Sequence, residues 1–345
     1  MRPRILFACN SYPPAIGGAE KVCKDMVDFL SKKYDVTVIT RPVPGRKDKQ
    51  VREFETVGSY SVMTELKEHL NKHKFDLYIS FGFGKHFSDV IGRWCRKNKK
   101  PFIFMPCGRF HTISRTSLSK KIYLRFLGSP TFLSATKIIT ATQWEKDFWV
   151  KQYKLNSDKI IVIPYNLDPK FSKYKPTKIL QRNKLKKKQY LLYIGRADKN
   201  KLTKLLLNDY KHTSQKMPLV LAGRGTDECK YEVRFGDTTN IVFLGQISEN
   251  DKKTLIAGAK LCIFPTSYES FGMVLLECMA LKTPTIGSNI GPFRELLNHS
   301  LLLFNNIEGE LQYYIERVFT KDYPLLKIKL PNQHKLLNKM VEELL

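Results

Sequence analysis

A strand–helix alternation that runs through the first half of the chain, stops and begins again is what most narrows the fold. Short β-branched and aromatic runs at residues 4–9, 35–40, 76–81, 102–105 and 137–140 alternate with helical stretches at 19–32, 63–73 and 87–97. In the first of these helices Val22, Met26, Phe29 and Leu30 fall on one face. Strand, helix, strand in repetition demands crossover connections, so the strands lie parallel and helices cover both faces of the sheet. The pattern restarts with short apolar runs at 190–195, 219–222, 241–244, 261–265 and 284–287. Between the two series, residues 166–189 hold Pro169, Pro176 and the basic run Arg182, Lys184, Lys186, Lys187 and Lys188 without an apolar period, which reads as a linker. The expectation is an α/β protein of two Rossmann-like domains, 1–165 and 190–325, facing each other across a cleft. A last segment, 326–345, carries a helix expected to pack back toward the first domain. In open parallel sheets, ligands bind beyond the carboxyl ends of the strands, so the loops there should carry the site.

Charge bears on the partner rather than on the fold. Across 345 residues, 59 Lys and Arg stand against 32 Asp and Glu, a formal net charge of +27. Such an excess favours a polyanion: nucleic acid, an anionic membrane or a phosphorylated ligand. Between residues 90 and 144 there is no Asp or Glu, yet Arg93, Arg96, Lys97, Lys99, Lys100, Arg109, Arg115, Lys120, Lys121, Arg125 and Lys137 all fall there. Residues 117–128 add Leu118, Ile122, Tyr123, Leu124, Phe126 and Leu127. Wound as a helix, they give a basic amphipathic surface of the kind that lies in a membrane interface. The competing reading is a solvated basic face over core aromatics. No nucleic-acid-binding module is recognisable, so nucleic acid is not the expected partner. No apolar run reaches the ~20 residues needed to span a bilayer. The N-terminal run at residues 5–8 is too short for a secretory signal. Seven scattered cysteines with no C-x-x-C pair read as reduced thiols and predict no cysteine-built metal site. The expected location is cytoplasmic, with peripheral attachment to the inner face of a membrane through the 93–137 region.

Two motifs carry the chemistry. Tyr268-Glu269-Ser270-Phe271-Gly272-Met273 leads from a strand into a helix rich in Leu, Met and Ala. Helix-start amides and the helix dipole favour an anion at Ser270, Phe271, Gly272 and Met273, and glycine lets a phosphate come close. Glu277, just over a turn into the helix, suits two hydrogen bonds to vicinal ribose hydroxyls; a solvated helix carboxylate is the alternative. The second motif, Tyr193-Ile194-Gly195-Arg196, ends a buried strand and is followed five residues after Arg196 by Lys201. Two cations there can neutralise a diphosphate as charge develops on it. The alternative is a pair of solvated cations in a basic protein.

Together these motifs resemble the retaining glycosyltransferase family 4, of the GT-B fold. The E-x7-E element is Glu269 to Glu277, and the G-R-x4-K element is Gly195, Arg196 and Lys201. The first-strand glycine loop is Pro13-Pro14-Ala15-Ile16-Gly17-Gly18-Ala19-Glu20. Val162-Ile163-Pro164-Tyr165-Asn166 stands where the family has I-P-N-G, and Leu221-Ala222-Gly223 and Phe243-Leu244-Gly245 match the following strands. The resemblance implies a retaining, metal-independent transfer of a sugar from a UDP- or GDP-linked donor to a hydroxyl of a glycan or lipid-linked acceptor. It implies no cofactor beyond that donor. Arg196 and Lys201 would contact the diphosphate, Glu269 the transferred sugar, the Phe271 and Gly272 amides the distal phosphate, and Glu277 the ribose. Gly17 and Gly18 would wall the cleft, with Gly223 and Gln246 completing the donor surface. The family's sugar-binding histidine corresponds to His111, with Cys107 and Arg109 as alternatives for that place. The chain departs from the pattern at Leu202, where the family has glycine, and at Leu167; the loop from Gly223 to Thr226 also lacks the usual acidic residue. Absence of any D-x-D triplet removes the usual carboxylate anchor for a divalent ion. The rival readings are a basic nucleic-acid-binding protein and a GT-B-fold sugar-nucleotide epimerase.

Overall fold

The computed structural model describes residues 2–15, 17–45, 48–54, 60–83, 86–107, 129–168, 170–214, 217–229, 240–297, 302–320 and 331–345. The chain divides into two compact units, Met1–Tyr165 with Leu330–Leu345, and Asn166–Lys329. His111, Arg109 and the amphipathic stretch 117–128 lie outside the described residues.

In the first unit the elements run β1 (Arg4–Cys9), α1 (Gly18–Leu30), β2 (Asp35–Thr40), β3 (Val51–Glu53), α2 (Tyr60–Lys72), β4 (Leu77–Phe81), α3 (His86–Lys97), β5 (Phe102–Met105), α4 (Ser129–Ser134), β6 (Lys137–Thr140), α5 (Gln143–Tyr153) and β7 (Ile160–Val162). The seven strands form one sheet in the order β3-β2-β1-β4-β5-β6-β7, every neighbouring pair parallel. Every residue of β4 and β5 is buried, as continuous apolar runs covered on both faces must be. On α1, Val22, Cys23, Met26, Val27 and Leu30 face the sheet at helical spacing. Helix α5 opens with the Thr142 hydroxyl accepting from the Glu145 amide at 3.0 Å. The buried Glu145 carboxylate accepts from the Ala141 amide, also at 3.0 Å, so two helix-start donors are satisfied at once.

The second unit contains α6 (Ile179–Arg182), β8 (Leu191–Ile194), α7 (Thr203–Lys211), β9 (Leu219–Ala222), β10 (Ile241–Phe243), α8 (Glu249–Gly258), β11 (Leu261–Phe264), α9 (Met273–Ala280), β12 (Thr285–Ser288), α10 (Gly291–Leu297), β13 (Leu303–Phe304) and α11 (Glu310–Thr320). Its strands also pair in parallel, in the order β10-β9-β8-β11-β12-β13. The proline-bearing basic segment that precedes β8 is held on α8. The Thr177 amide donates to Thr254 Oγ1 at 3.0 Å, and the Lys188 amide to the Gly258 carbonyl at 2.7 Å.

The last helix, α12 (Gln333–Glu342), belongs to the first unit and packs on α1. Leu337, Met340 and Val341 are buried, the His334 ring stacks on Phe29 at 4.3 Å, and His334 Nε2 lies 2.8 Å from Asp25 Oδ2. Lys33 pairs with Glu342 at the far end. The fold class is therefore two α/β units, each built on a parallel sheet.

Candidate functional site

Sheet order decides where each unit can hold a ligand. In the second unit the chain builds outward from β8 through β9 to β10, then crosses back to lay β11 beside β8 and continue through β12 to β13. The loops leaving β8 and β11 thus diverge to opposite faces, opening a crevice at their carboxyl ends. Those two loops are the ones that carry the motifs, residues 195–202 and 265–272. In the first unit the corresponding divergence is between β1 and β4. Gly17 and Gly18 stand beyond the carboxyl end of β1, where Gly17 caps α1 and Gly18 is its first residue.

In the second unit the two motif loops are joined directly. The Asn200 carbonyl accepts from the Ser267 amide at 2.8 Å and from the Thr266 hydroxyl at 3.0 Å. Lys201 and Glu269 form an ion pair across the crevice. Their side chains are 21% and 23% exposed, so the pair is reachable from solvent without being fully hydrated. Arg196 is different: its guanidinium is 62% exposed and only loosely associated with Asp198, 3.8 Å away. That leaves Arg196 the freer of the two motif cations to turn toward an incoming anion.

Three glycines set the floor. Gly195 ends β8 with its amide on the Ala222 carbonyl at 3.0 Å, and the Gly223 amide reaches the Gly245 carbonyl at 2.7 Å. Gly223 has φ +129°, and a Cβ added there would stand 2.7 Å from the Gly195 carbonyl carbon and closer still to its oxygen. The buried Thr226 hydroxyl donates to the Gly223 carbonyl at 2.8 Å and accepts from the Gly245 amide at 3.1 Å, tying β9 to β10. Gln246, next after Gly245, is exposed at the β10 end. Beneath Arg196, the Tyr193 hydroxyl donates to the Arg196 carbonyl at 2.8 Å, and burial pushes this phenol far above its usual range. Leu202 caps α7 at φ +46°; the backbone keeps a left-handed turn although the side chain is not glycine.

Helix α9 starts at the crevice. Gly272 caps it at φ +100° and offers no side-chain oxygen to the helix-start amides. A side chain there would run into the Phe293 ring, 2.7 Å from the added Cβ. Ser270 and Met273 are half-buried, Phe271 buried. Glu277 lies at the fifth helical position, 3% exposed, with Lys252 Nζ of α8 at 2.8 Å from its Oε1. Glu249 Oε2 is 3.0 Å from the same ammonium. Burial alone would lower the Lys252 pKa, but the Glu277 and Glu249 carboxylates outweigh it and hold it above the ordinary lysine value.

The loop before α9 is braced from behind. The Thr266 amide donates to Ser288 Oγ at 2.7 Å, and Asn306 Nδ2 donates to the Thr266 carbonyl at 3.0 Å. Lys252, Ser288 and Asn306 have no signal in the sequence: each comes from a different part of the second unit and meets the site only once the sheet has formed. Gly195, Gly223, Arg196, Lys201, Glu269, Ser270, Phe271, Gly272, Met273 and Glu277 gather on the strand ends of one unit. His111 lies outside the described residues.

Comparison with known proteins matches residues 16–171 to the Glycosyltransferase Family 4 model and residues 175–322 to the Glycosyl transferases group 1 model. The chain belongs to the family 4, group 1 glycosyltransferases. The boundary between the two matched regions of this glycosyltransferase family member falls beside the boundary between its compact units. Among the relatives of the family, the chain is 27% identical over 195 residues to the O-antigen chain mannosyltransferase RfbU of Salmonella typhimurium, covering 55% of this chain and 52% of the relative. It thus spans about half the length of that mannosyltransferase. The structure of Anabaena Alr3699/HepE in complex with UDP and glucose superposes with TM-score 0.73 at 18% identity, covering 92% of this chain and 90% of that one. A UDP-N-acetylglucosamine 2-epimerase from Rickettsia bellii superposes with TM-score 0.70 at 14% identity, over 100% of this chain and 96% of that one. Transferase and epimerase thus share the GT-B fold of this glycosyltransferase family member, and the fold alone does not distinguish them.

Proposed function

We propose that this chain transfers a sugar from a nucleoside diphosphate sugar to a hydroxyl of a glycan or lipid-linked acceptor, with retention of anomeric configuration and without a metal ion. The observation that carries the reading is the meeting of Arg196, Lys201, Glu269 and the start of α9 at the β8–β11 divergence. Three sources of positive potential converge there: a guanidinium, an ammonium and helix-start amides. A diphosphate is the anion that can use all three. In the reaction, the acceptor oxygen bonds to the anomeric carbon as the bond from that carbon to the diphosphate oxygen breaks. The acceptor proton passes to the departing diphosphate, and Arg196 and Lys201 neutralise the charge growing on it. Glu269 pairs with Lys201. A diphosphate on Lys201 would release Glu269 toward the sugar, so one exchange of partners would arm both residues.

Known relatives favour mannose as the sugar, and the HepE complex favours uridine as the base. A thermal-shift comparison of UDP, GDP, UDP-glucose and GDP-mannose tests the reading. A nucleotide at a hundred times its dissociation constant stabilises the folded state by about 2.7 kcal/mol. For unfolding of the second unit, Asn166–Lys329, that raises Tm by roughly 5–10 °C. No shift with any of the four at millimolar concentration would overturn the proposal. Release of free nucleoside diphosphate only in the presence of acceptor separates a transferase from an epimerase.

The acceptor side of the proposal includes an anionic membrane surface. Arg93, Arg96, Lys97 and Lys99 are exposed along the last turns of α3 and just beyond it, and Leu133 of the neighbouring α4 is 56% exposed. Each lysine or arginine near an anionic leaflet adds about 1 kcal/mol. Among the described residues no helix is long and apolar enough to cross a membrane. Flotation with vesicles containing acidic lipid, but not with neutral vesicles, is expected; recovery independent of lipid charge would defeat this part.

A further inference from the structure

We infer that Lys252 is a positioning residue of the nucleotide site, holding Glu277 as an oriented carboxylate that receives the two hydroxyls of a ribose. This inference rests on the nucleotide-sugar reading above and adds to it a residue from outside both motifs. Lys252 lies on α8, the crossover helix between β10 and β11, and reaches Glu277 on α9 at 2.8 Å. The contact is enclosed: the side chains are 15% and 3% exposed.

The chemistry of a diol explains why such a contact belongs here. A carboxylate accepts through both oxygens, so a single group can receive two neighbouring hydroxyl protons. The Lys252 bond to Oε1 fixes the torsion of the Glu277 carboxylate. Glu249, 60% exposed, holds the same ammonium from the solvent side at 3.0 Å. Two carboxylates around one ammonium keep it in place when a ligand's hydroxyls arrive. A salt bridge that served only to join α8 to α9 would affect stability but would be blind to the sugar of the nucleotide.

The test uses that difference. Dissociation constants of the full chain are measured for UDP and 2′-deoxy-UDP, or for GDP and 2′-deoxy-GDP if guanosine binds. Wild type, Lys252→Met, Lys252→Gln and Lys252→Arg are compared below the unfolding temperature of each. Wild type should prefer the ribonucleotide by about tenfold, the scale of one hydrogen bond to a charged group. Lys252→Met and Lys252→Gln should bind both ligands alike, with affinity for the deoxynucleotide little changed. Lys252→Arg should recover most of the preference. Retention of the wild-type preference in the Met or Gln variant would overturn the inference, whatever the loss of stability. If wild type binds neither UDP nor GDP, the nucleotide reading fails first and this inference with it. Binding without any ribose preference would leave that reading standing and remove only the role of Lys252.

Discussion

Replacing Gly223 with alanine should unfold the second unit far more readily than the same change at Gly309. Both glycines have positive φ, +129° and +85°, so each variant carries a side chain in strained backbone at roughly 1–2 kcal/mol. Each also gains ~0.5–1 kcal/mol from a stiffer unfolded chain. Surroundings make the difference. Nothing lies within 4 Å of a Cβ added at Gly309, whereas at Gly223 the new atom stands 2.7 Å from the Gly195 carbonyl carbon and 3.3 Å from its nitrogen. Those are backbone atoms of the adjacent strand end, which cannot rotate aside, so β8 and β9 must part. Overpacking of this kind costs ~1–3 kcal/mol. The net destabilisation is therefore about 0–1.5 kcal/mol for Gly309→Ala and about 1–4.5 kcal/mol for Gly223→Ala. Trp94, Trp144 and Trp149, the chain's three tryptophans, all lie in the first unit. Tryptophan fluorescence therefore follows that unit, and far-UV circular dichroism is needed to see the second. With a urea m-value of ~2 kcal/mol/M, the two midpoints should differ by about 0.5–1.5 M. A difference below ~0.2 M would refute the argument from close strand approach.

Three further outcomes follow from the geometry. Arg196→Ala should chiefly slow transfer, because an exposed guanidinium contributes most when charge develops, whereas Glu277→Ala should chiefly weaken nucleotide binding; steady-state kinetics with a donor titration tells them apart, and identical effects on both constants would contradict the roles. Glu269→Gln should lower turnover more than donor affinity; a loss confined to affinity would place that carboxylate on the nucleotide instead. Burial, followed by the nearby cations His73, Arg52 and Arg4, pulls the His69 pKa from 6.5 down to about 4. The folded state then binds fewer protons than the unfolded one across that window, so stability of the first unit should fall as pH drops from ~6.5 toward ~4. His69→Gln should flatten that part of the pH profile, read by urea titration with tryptophan fluorescence.

Much of the architecture is written in local pattern. The runs at 4–9, 35–40, 102–105, 137–140 and 219–222 coincide with β1, β2, β5, β6 and β9, because strands buried on both faces advertise themselves as continuous apolar segments. Strands β3, β7 and β13 escape such reading. They are two or three residues long, and Arg52 and Glu53 of β3 are exposed at a sheet edge. At the site, glycines and charged residues stand out by type, but their bracing does not. Lys252 and Glu249, three apart on α8, look in sequence like any solvent-facing helix pair. Only the crossover from β10 to β11 delivers Lys252 against α9. Leu202 is a subtler case, since its left-handed backbone is set by the turn around it and not by its own preference.

The return of α12 to the first unit means that residues 166–329 interrupt that unit rather than follow it. During synthesis, the surface of α1 that carries Phe29 stays uncovered until the whole intervening unit has left the ribosome. Completion of the first unit thus waits on a helix made only after the whole of the second unit.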